Sequence, residues 1–500
     1  MKFDLHEHQQ IAIEMVRRSL STGHRRPMLQ APTGFGKTIV SAAIVEGALQ
    51  KGNPVVFVVP ALSLVDQTVE RFAEQGIHAI GVMQGYHPAT DASQPVQVAT
   101  IQTLMNRKLP PAGIVLIDEA HKWFEFYGKW MAMDEWQKVP FVGLSATPWT
   151  KGLGKHFDDL LIPTTTKKLI NTINPTTGRT YLSPFKVFAP SHPDLSGVRT
   201  VAGDYHEGEL SDAMSGPTLI ADVVSTWLRL GEGRPTLCFA VDRAHARKLA
   251  DQFESAGVPT GYVDMDTPVA ERQLMGERLR GGQVKVVVNI ATLTTGVDWD
   301  VRCIILARPT KSEMLFVQII GRGLRSVEGK TDCLVLDHSD TTLRLGFVDD
   351  IHHESLDGGK HAKSSATKQK RLQLPKECLS CSYLKPAGVH ACPSCGFAPE
   401  RQSRIEEQAG ELIALKGERR NRREPTPHTQ QEVWSMLLWW QNEHGKSPKF
   451  AKANYYERYG SWPNGLHNRP MPADASFSSW IRSKQIRWAK RKNKEVRHAA

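Results

Sequence analysis

The chain has 500 residues, 40% of them hydrophobic, which supports several folded cores and excludes a largely disordered protein. Its formal charge is +11, and residues 401–500 carry 20 Lys and Arg against 10 Asp and Glu, so nearly all of the surplus sits there and suits a polyanionic partner. Seven cysteines do not make a secreted disulfide scaffold, segment 1–8 has no apolar signal core, and no uncharged run reaches membrane-spanning length; a soluble, cytoplasmic protein with no membrane partner is expected.

Residues 1–150 alternate strand-like and helix-like stretches. Met28 and Leu29 lead into Ala31-Pro32-Thr33-Gly34-Phe35-Gly36-Lys37-Thr38, and an apolar helical pattern opens at Ile39. Strand, glycine-rich turn and helix in that order build a phosphate cradle. Gly34 and Gly36 let backbone N–H groups converge, and the helix N-terminus adds partial positive charge. Lys37 can reach the β- and γ-phosphates of a nucleoside triphosphate, and the Thr38 hydroxyl can hold Mg²⁺.

Residues 55–59, 96–100, 114–117 and 141–144 read as strands and 64–74 as a helix, which predicts a parallel sheet flanked by helices. The run 114–117 delivers Asp118-Glu119-Ala120-His121 to the carboxyl edge of that sheet, where ligands bind. Asp118 can hold Mg²⁺ through its water shell, and Glu119 is placed to polarise an attacking water. Ser145-Ala146-Thr147-Pro148 follows the next strand and offers two small hydroxyls.

A Thr/Pro/Gly-rich stretch over about 161–218 is expected to contain the hinge between domains. The block 219–350 alternates again, with strands at 236–240, 284–289, 303–306 and 333–337 and helices at 244–253 and 269–280. Cys238, Cys303 and Cys333 fall in these strands and read as buried thiols. This block has no phosphate loop, so the nucleotide is expected in the cleft between two α/β domains. Residues 291–298 follow a strand and offer hydroxyls and N–H groups to phosphate. Gln318-Ile319-Ile320-Gly321-Arg322-Gly323-Leu324-Arg325 sets Arg322 and Arg325 three residues apart on one helical face. A planar, permanently charged guanidinium suits the γ-phosphate in its transition state. Supplied by a second domain, it makes hydrolysis depend on closure, at a gain of roughly 10³- to 10⁵-fold.

A polar linker over about 356–371 precedes Cys378-x-x-Cys381 and, ten residues on, Cys392-x-x-Cys395. Two such knuckles suit tetrahedral Zn²⁺ in a closed, structural site. An iron–sulfur cluster takes the same four ligands, while disulfides are disfavoured in a reducing compartment. A charged segment, 401–423, reads as helical. Six of the twelve tryptophans lie after residue 428, among Lys and Arg. Trp434, Trp439 and Trp440 read as the core of a small helical domain, and Trp488 as the stacking candidate for a nucleic-acid base.

Taken together and in this order, the motifs resemble those of a superfamily 2 helicase or translocase over about residues 1–345. Segment 5–10 is similar to the adenine-reading segment, with Gln9 the reader. Segment 31–38 matches the phosphate loop, 118–121 the DEAH box, 145–148 the Ser-Ala-Thr motif, and 292–298 and 318–325 the second-domain motifs. Segments 58–67 and 100–104 fall where the family contacts the nucleic-acid backbone. The resemblance implies two tandem RecA-like domains, 1–185 and 186–355, then a zinc ribbon, 372–400, and a small, mainly helical, basic, Trp-rich accessory nucleic-acid-binding domain, 428–500. It implies that Gln9, Thr33, Gly34, Gly36, Lys37, Thr38, Asp118, Gly296 and Asp298 bind MgATP. Lys37, Asp118 and Glu119 would act in hydrolysis, with Gln318, Arg322 and Arg325 completing the site on closure. His121, Ser145 and Thr147 would couple hydrolysis to movement.

The second half is most similar to the RadD-type bacterial DNA-repair helicases. Thr310-Lys311-Ser312, the cysteine module and the segment Tyr456-x-x-x-Tyr459-Gly460-x-Trp462-Pro463 carry that likeness. The expected function is therefore an ATP-dependent DNA helicase or translocase of DNA repair, recombination or replication. Its expected partners are single-stranded or branched DNA and proteins of repair or recombination. The alternatives are an RNA helicase, a DNA-dependent ATPase serving repair without processive unwinding, and the motor subunit of a restriction system.

Overall fold

Val55–Val59 and Val96–Thr100 are buried along their whole length, as strands covered by helices on both faces must be. They belong to the first of two parallel sheets in a computed structural model that describes residues 4–85, 87–294, 298–359, 374–399 and 428–484. The first sheet contains β1 (Pro27–Gln30), β2 (Val55–Val59), β3 (Ile80–Val82), β4 (Val96–Thr100), β5 (Ile114–Asp118), β6 (Phe141–Ser145) and β7 (Asp159–Leu161), in the order β3-β4-β2-β5-β6-β1-β7. All its pairings are parallel. The loops after β1, β2, β4, β5 and β6 therefore leave one edge of the sheet.

The second sheet takes β8 (Phe185–Phe188), then, beyond the hairpin of β9 (Thr200–Val201) and β10 (Asp204–Tyr205), β11 (Thr236–Phe239), β12 (Thr260–Val263), β13 (Val286–Asn289), β14 (Cys303–Leu306) and β15 (Cys333–Asp337). Its order is β12-β13-β11-β14-β15-β8, again wholly parallel. Cys238, Cys303 and Cys333 are buried in it. The Thr/Pro/Gly-rich stretch over 161–218 contains the helices Thr166–Asn171 and Glu207–Met214, and Pro217 opens a third, Pro217–Leu230, from its first turn. One continuous apolar cluster includes Leu29 and Val142 of the first lobe, Leu182 of the crossing segment, and Leu237 and Leu306 of the second lobe.

A short hairpin, β16 (Lys376–Glu377) with β17 (Leu384–Lys385), docks on the second lobe. Ala189 N–H donates to Ser382 O (2.9 Å), and the Phe188 and Tyr383 rings meet edge to face. These residues lie in the compact unit Met1–Gln402; Ser403–Ala500 forms a separate one. In that second unit, Thr429 and Glu432 cap the helix Gln430–Glu443 reciprocally. Trp434, Trp440, Tyr455, Phe477 and Ile481 form its core, with Trp439 partly buried against it. Gly296, the segment 401–423 and Trp488 lie outside the described residues. Among the described residues no helix is long and apolar enough to cross a membrane.

Candidate nucleotide site between the two lobes

A cavity of about 580 Å³ opens between the carboxyl edge of the first sheet and the helix Glu313–Gly323 of the second lobe. Thr33, Gly34, Gly36, Lys37 and Thr38 line it after β1, and Asp118 and Glu119 after β5. Asp298, Gln318, Arg322 and Arg325 line it from the second lobe. Gly34 and Gly36 hold φ of +82° and +86°, the left-handed region that lets the loop curl before the helix Lys37–Leu49 starts. A Cβ on Gly34 would stand 2.6 Å from Leu182 Cδ2, so the loop is also closed against the crossing segment.

Lys37 Nζ is in contact with Glu119 Oε1 and lies 3.6 Å from Asp118 Oδ1. Burial disfavours the lysine charge, but the two carboxylates outweigh it and hold the Lys37 pKa above its ordinary value. Burial raises the Asp118 pKa, whereas Lys37 and His121 overcome burial at Glu119 and keep it ionised. Glu119 also sits at φ +49°, a strained conformation for a residue other than glycine.

His121 gathers the next layer. Its Nδ1 lies 3.2 Å from Glu119 Oε2 and 2.9 Å from Ser145 Oγ, while its Nε2 lies 3.1 Å from Gln318 Nε2 of the second lobe. Gln318 Nε2 also donates to Thr147 Oγ1 (3.3 Å), and Thr147 N–H donates to Ser145 Oγ (3.0 Å). One amide thus ties the second lobe to the loops after both β5 and β6. These contacts are buried, where each polar pairing counts for more than at the surface.

Arg322 and Arg325 both line the cavity, but not from one helical face as expected: the helix Glu313–Gly323 ends before Arg325, which is held beyond it by a bridge to Leu182. Burial, and then the neighbouring Arg325, push the Arg322 pKa down to about 9, against the pull of Glu119. Arg325 Nη1 donates to Asp298 Oδ1 (2.5 Å). Asp298 Oδ2 accepts from Arg71 Nη2 of the first lobe (3.2 Å). Arg71, on the helix Val65–Glu74, lines the cavity with Gln67 and Tyr181. Sequence reading missed Arg71 and Tyr181, because neither belongs to a motif and only the fold brings them to the cleft.

Gln9 stands apart from the cavity lining. Its Nε2 donates to Phe35 O of the loop (3.0 Å), and its Oε1 accepts from His6 N–H (3.0 Å). Beside it the His8 ring packs on Phe35 and Tyr181, and burial lowers the His8 pKa to about 4.

The donor set fits MgATP. Asp118 Oδ1 is buried without a hydrogen-bond partner, ready to accept from the water shell of a cation, and the glycine curl leaves room for phosphate. The four cysteine sulfurs of the hairpin module lie within 4.8 Å of one another. Cys378 and Cys395, and Cys381 and Cys392, have Sγ atoms 3.7 Å apart. Four thiolates bound at about 2.3 Å around one tetrahedral ion stand about 3.8 Å apart, so the spacing fits Zn²⁺.

Two family descriptions match the chain: type III restriction enzyme, res subunit, over residues 2–150, and helicase conserved C-terminal domain, over residues 219–327. A 51.5 kDa protein of a Lactococcus phage is 29% identical over 386 residues, covering 74% of this chain and 77% of its own length. A Saccharomyces cerevisiae protein assigned as ATP-dependent helicase IRC3 is 27% identical over 361 residues, 67% of this chain and 51% of its own. The chain thus spans about half of that yeast relative. Among solved structures, a fragment assigned as the HsdR subunit of a type I restriction enzyme from Vibrio vulnificus shares the fold, with a TM-score of 0.52 at 20% identity over 71% of this chain and 69% of its own.

Proposed function

The chain belongs to helicase superfamily 2, a class of nucleic-acid-dependent ATPases, and from that premise we propose that it is an ATP-dependent DNA helicase or translocase acting in repair, recombination or replication. One observation carries the reading: Lys37 of the first lobe and Arg322 and Arg325 of the second line a single cavity. A triphosphate held there is cradled from one side and neutralised from the other, so its hydrolysis is tied to lobe closure.

In this reading the loop N–H groups, Lys37 and Thr38 hold the phosphates, and the base lies towards Gln9 and Tyr181. Asp118 and Thr38 would hold Mg²⁺, which offsets the charge on the β- and γ-phosphates when bound. Glu119 accepts the proton of the attacking water. For this Lys37 must exchange Glu119 for phosphate, a trade of one anion for another. Arg322 and Arg325 stabilise charge developing on the γ-phosphate. The bridge from His121, Ser145 and Thr147 to Gln318 transmits closure to the outer edge of the lobes, where the strand tracks. The cysteine module and the Tyr456–Pro463 segment support the narrower RadD-type reading.

The test is ATPase activity against a panel of single-stranded, forked, branched and duplex DNA, with one RNA control. Stimulation by single-stranded or branched DNA is expected; stimulation by RNA alone would overturn the assignment to DNA. The match of residues 2–150 to the res-subunit family favours a second reading, a restriction motor. That role requires a partner chain for cleavage, and hydrolysis dependent on such a partner would favour it.

A further inference from the structure

Among the described residues only three Phe, Tyr or Trp side chains are exposed: Phe397, Tyr456 (45%) and Trp462 (54%). The last two stack on each other, with ring centroids 4.5 Å apart and planes 29° apart. The arrangement is built by a helix end. The helix Phe450–Tyr459 stops at Gly460, whose φ of +67° reverses the chain, and Gly460 N–H donates to Tyr456 O (2.7 Å). Trp462 is thereby folded back onto the ring of Tyr456. Neither ring belongs to the core. Tyr455, one position earlier, turns inward against Trp434 and Tyr459.

The surroundings are cationic. Lys449 and Lys452 are exposed and precede Tyr456 by seven and four residues, which places them on its helical face. Arg458 lies over the Trp480 ring at 4.5 Å. The one acid of this helix, Glu457, is paired with Lys484 (2.8 Å). An exposed aromatic pair in water marks a partner, and flat ring faces beside lysines match the chemistry of unpaired bases joined by phosphates.

We propose that Tyr456 and Trp462 form a base-stacking ledge for single-stranded DNA, with Lys449 and Lys452 holding the adjoining phosphates. The choice of DNA rests on the motor reading above; the stacking does not. A duplex keeps its base faces to itself, so the ledge selects unpaired strand.

The test uses the full chain and three labelled oligonucleotides of equal length, oligo-dT, its abasic counterpart and oligo-U, followed by fluorescence anisotropy. Wild type should bind oligo-dT at least fivefold more tightly than the abasic strand. The Tyr456→Ala/Trp462→Ala double variant should lose that preference and retain abasic binding, while Trp462→Phe keeps most of it. Equal binding of both strands by wild type would overturn the ledge, whatever the variants do. So would a double variant that binds oligo-dT like wild type, or one that loses both strands equally. If ssDNA still stimulates hydrolysis in those cases, the motor reading stands without the ledge. If oligo-U binds more tightly than oligo-dT, the assignment to DNA falls.

Discussion

Gly321 lies directly against Thr33. A Cβ at position 321 would stand 2.6 Å from Thr33 Cβ and 2.7 Å from its Oγ1. The helix carrying Gln318 and Arg322 therefore reaches the phosphate loop because residue 321 has no side chain. Gly321→Ala should hold the lobes apart at the γ-phosphate. We expect kcat to fall about a hundredfold, the usual cost of misplacing reacting groups by about 1 Å. Binding of a fluorescent ATP analogue, held mainly by the first lobe, should change little. An unchanged kcat would show that the contact is not part of the closed site.

Glu119→Gln removes the proton acceptor and keeps its shape. Hydrolysis should fall by about 10²- to 10⁴-fold while ATP binding persists. Single-turnover hydrolysis beside equilibrium binding separates the two. Hydrolysis at the wild-type rate would assign the base to another group.

Gln318 is the amide that joins His121 and Thr147 across the cleft. Gln318→Ala should leave Lys37, Asp118 and Glu119 in place and lower the DNA-stimulated rate more than the basal one. The ratio of kcat with and without single-stranded DNA is the readout. A proportional fall in both would make Gln318 part of the hydrolytic site and not of the coupling.

The cysteine module should carry one zinc per chain. Cys378→Ser, or prolonged chelation, should lower metal content and melting temperature together, because folding of such a module is coupled to its metal. Metal analysis and thermal melting on the same samples check this; zinc-free wild type with an unchanged melt would remove the metal from the fold. Iron in place of zinc would show as a coloured, oxygen-sensitive protein.

His338 provides a pH test of the second lobe. It is buried, with Nδ1 2.8 Å from Ser191 Oγ, and burial pushes its pKa down to about 3 from an ordinary 6.5. Below pH 6.5 the unfolded chain binds a proton that the folded chain refuses, so stability falls as pH drops from 6.5 towards 3. The slope from this group is at most about 1.4 kcal/mol per pH unit. His338→Gln should be less stable at pH 7.5 but show a shallower loss of melting temperature between pH 6.5 and 5. Parallel pH profiles would locate the acid sensitivity elsewhere, for instance at His245, also buried and lowered to about 4.

The central strands were legible in sequence, and the edges were not. β2, β4, β5, β6, β11, β13, β14 and β15 coincide with largely apolar runs, because a strand covered on both faces is apolar along most of its length. Within the two large sheets the strands left unread, β3, β7, β8 and β12, are the outermost members and only three or four residues long. Edge strands pair on one side, and so few residues carry little pattern. The aromatic residues divide in the same way: Trp434 and Trp440 follow helical periodicity into the core, while the stacking of Trp462 on Tyr456 depends on a turn at Gly460.

By itself the sequence determined what is local: a glycine curl ahead of a helix, two acids at a strand end, four thiols in two knuckles. Each is set by neighbours a few residues away, through backbone conformation and helical or strand period. Which groups meet was decided by the tertiary structure. Gln318 and His121 are 197 residues apart in the chain, and Arg71 and Asp298 are 227 apart. No short-range rule encodes such pairs. They follow from packing the two lobes against each other across a shared apolar cluster, which sets them close enough for side chains from both to share one cavity.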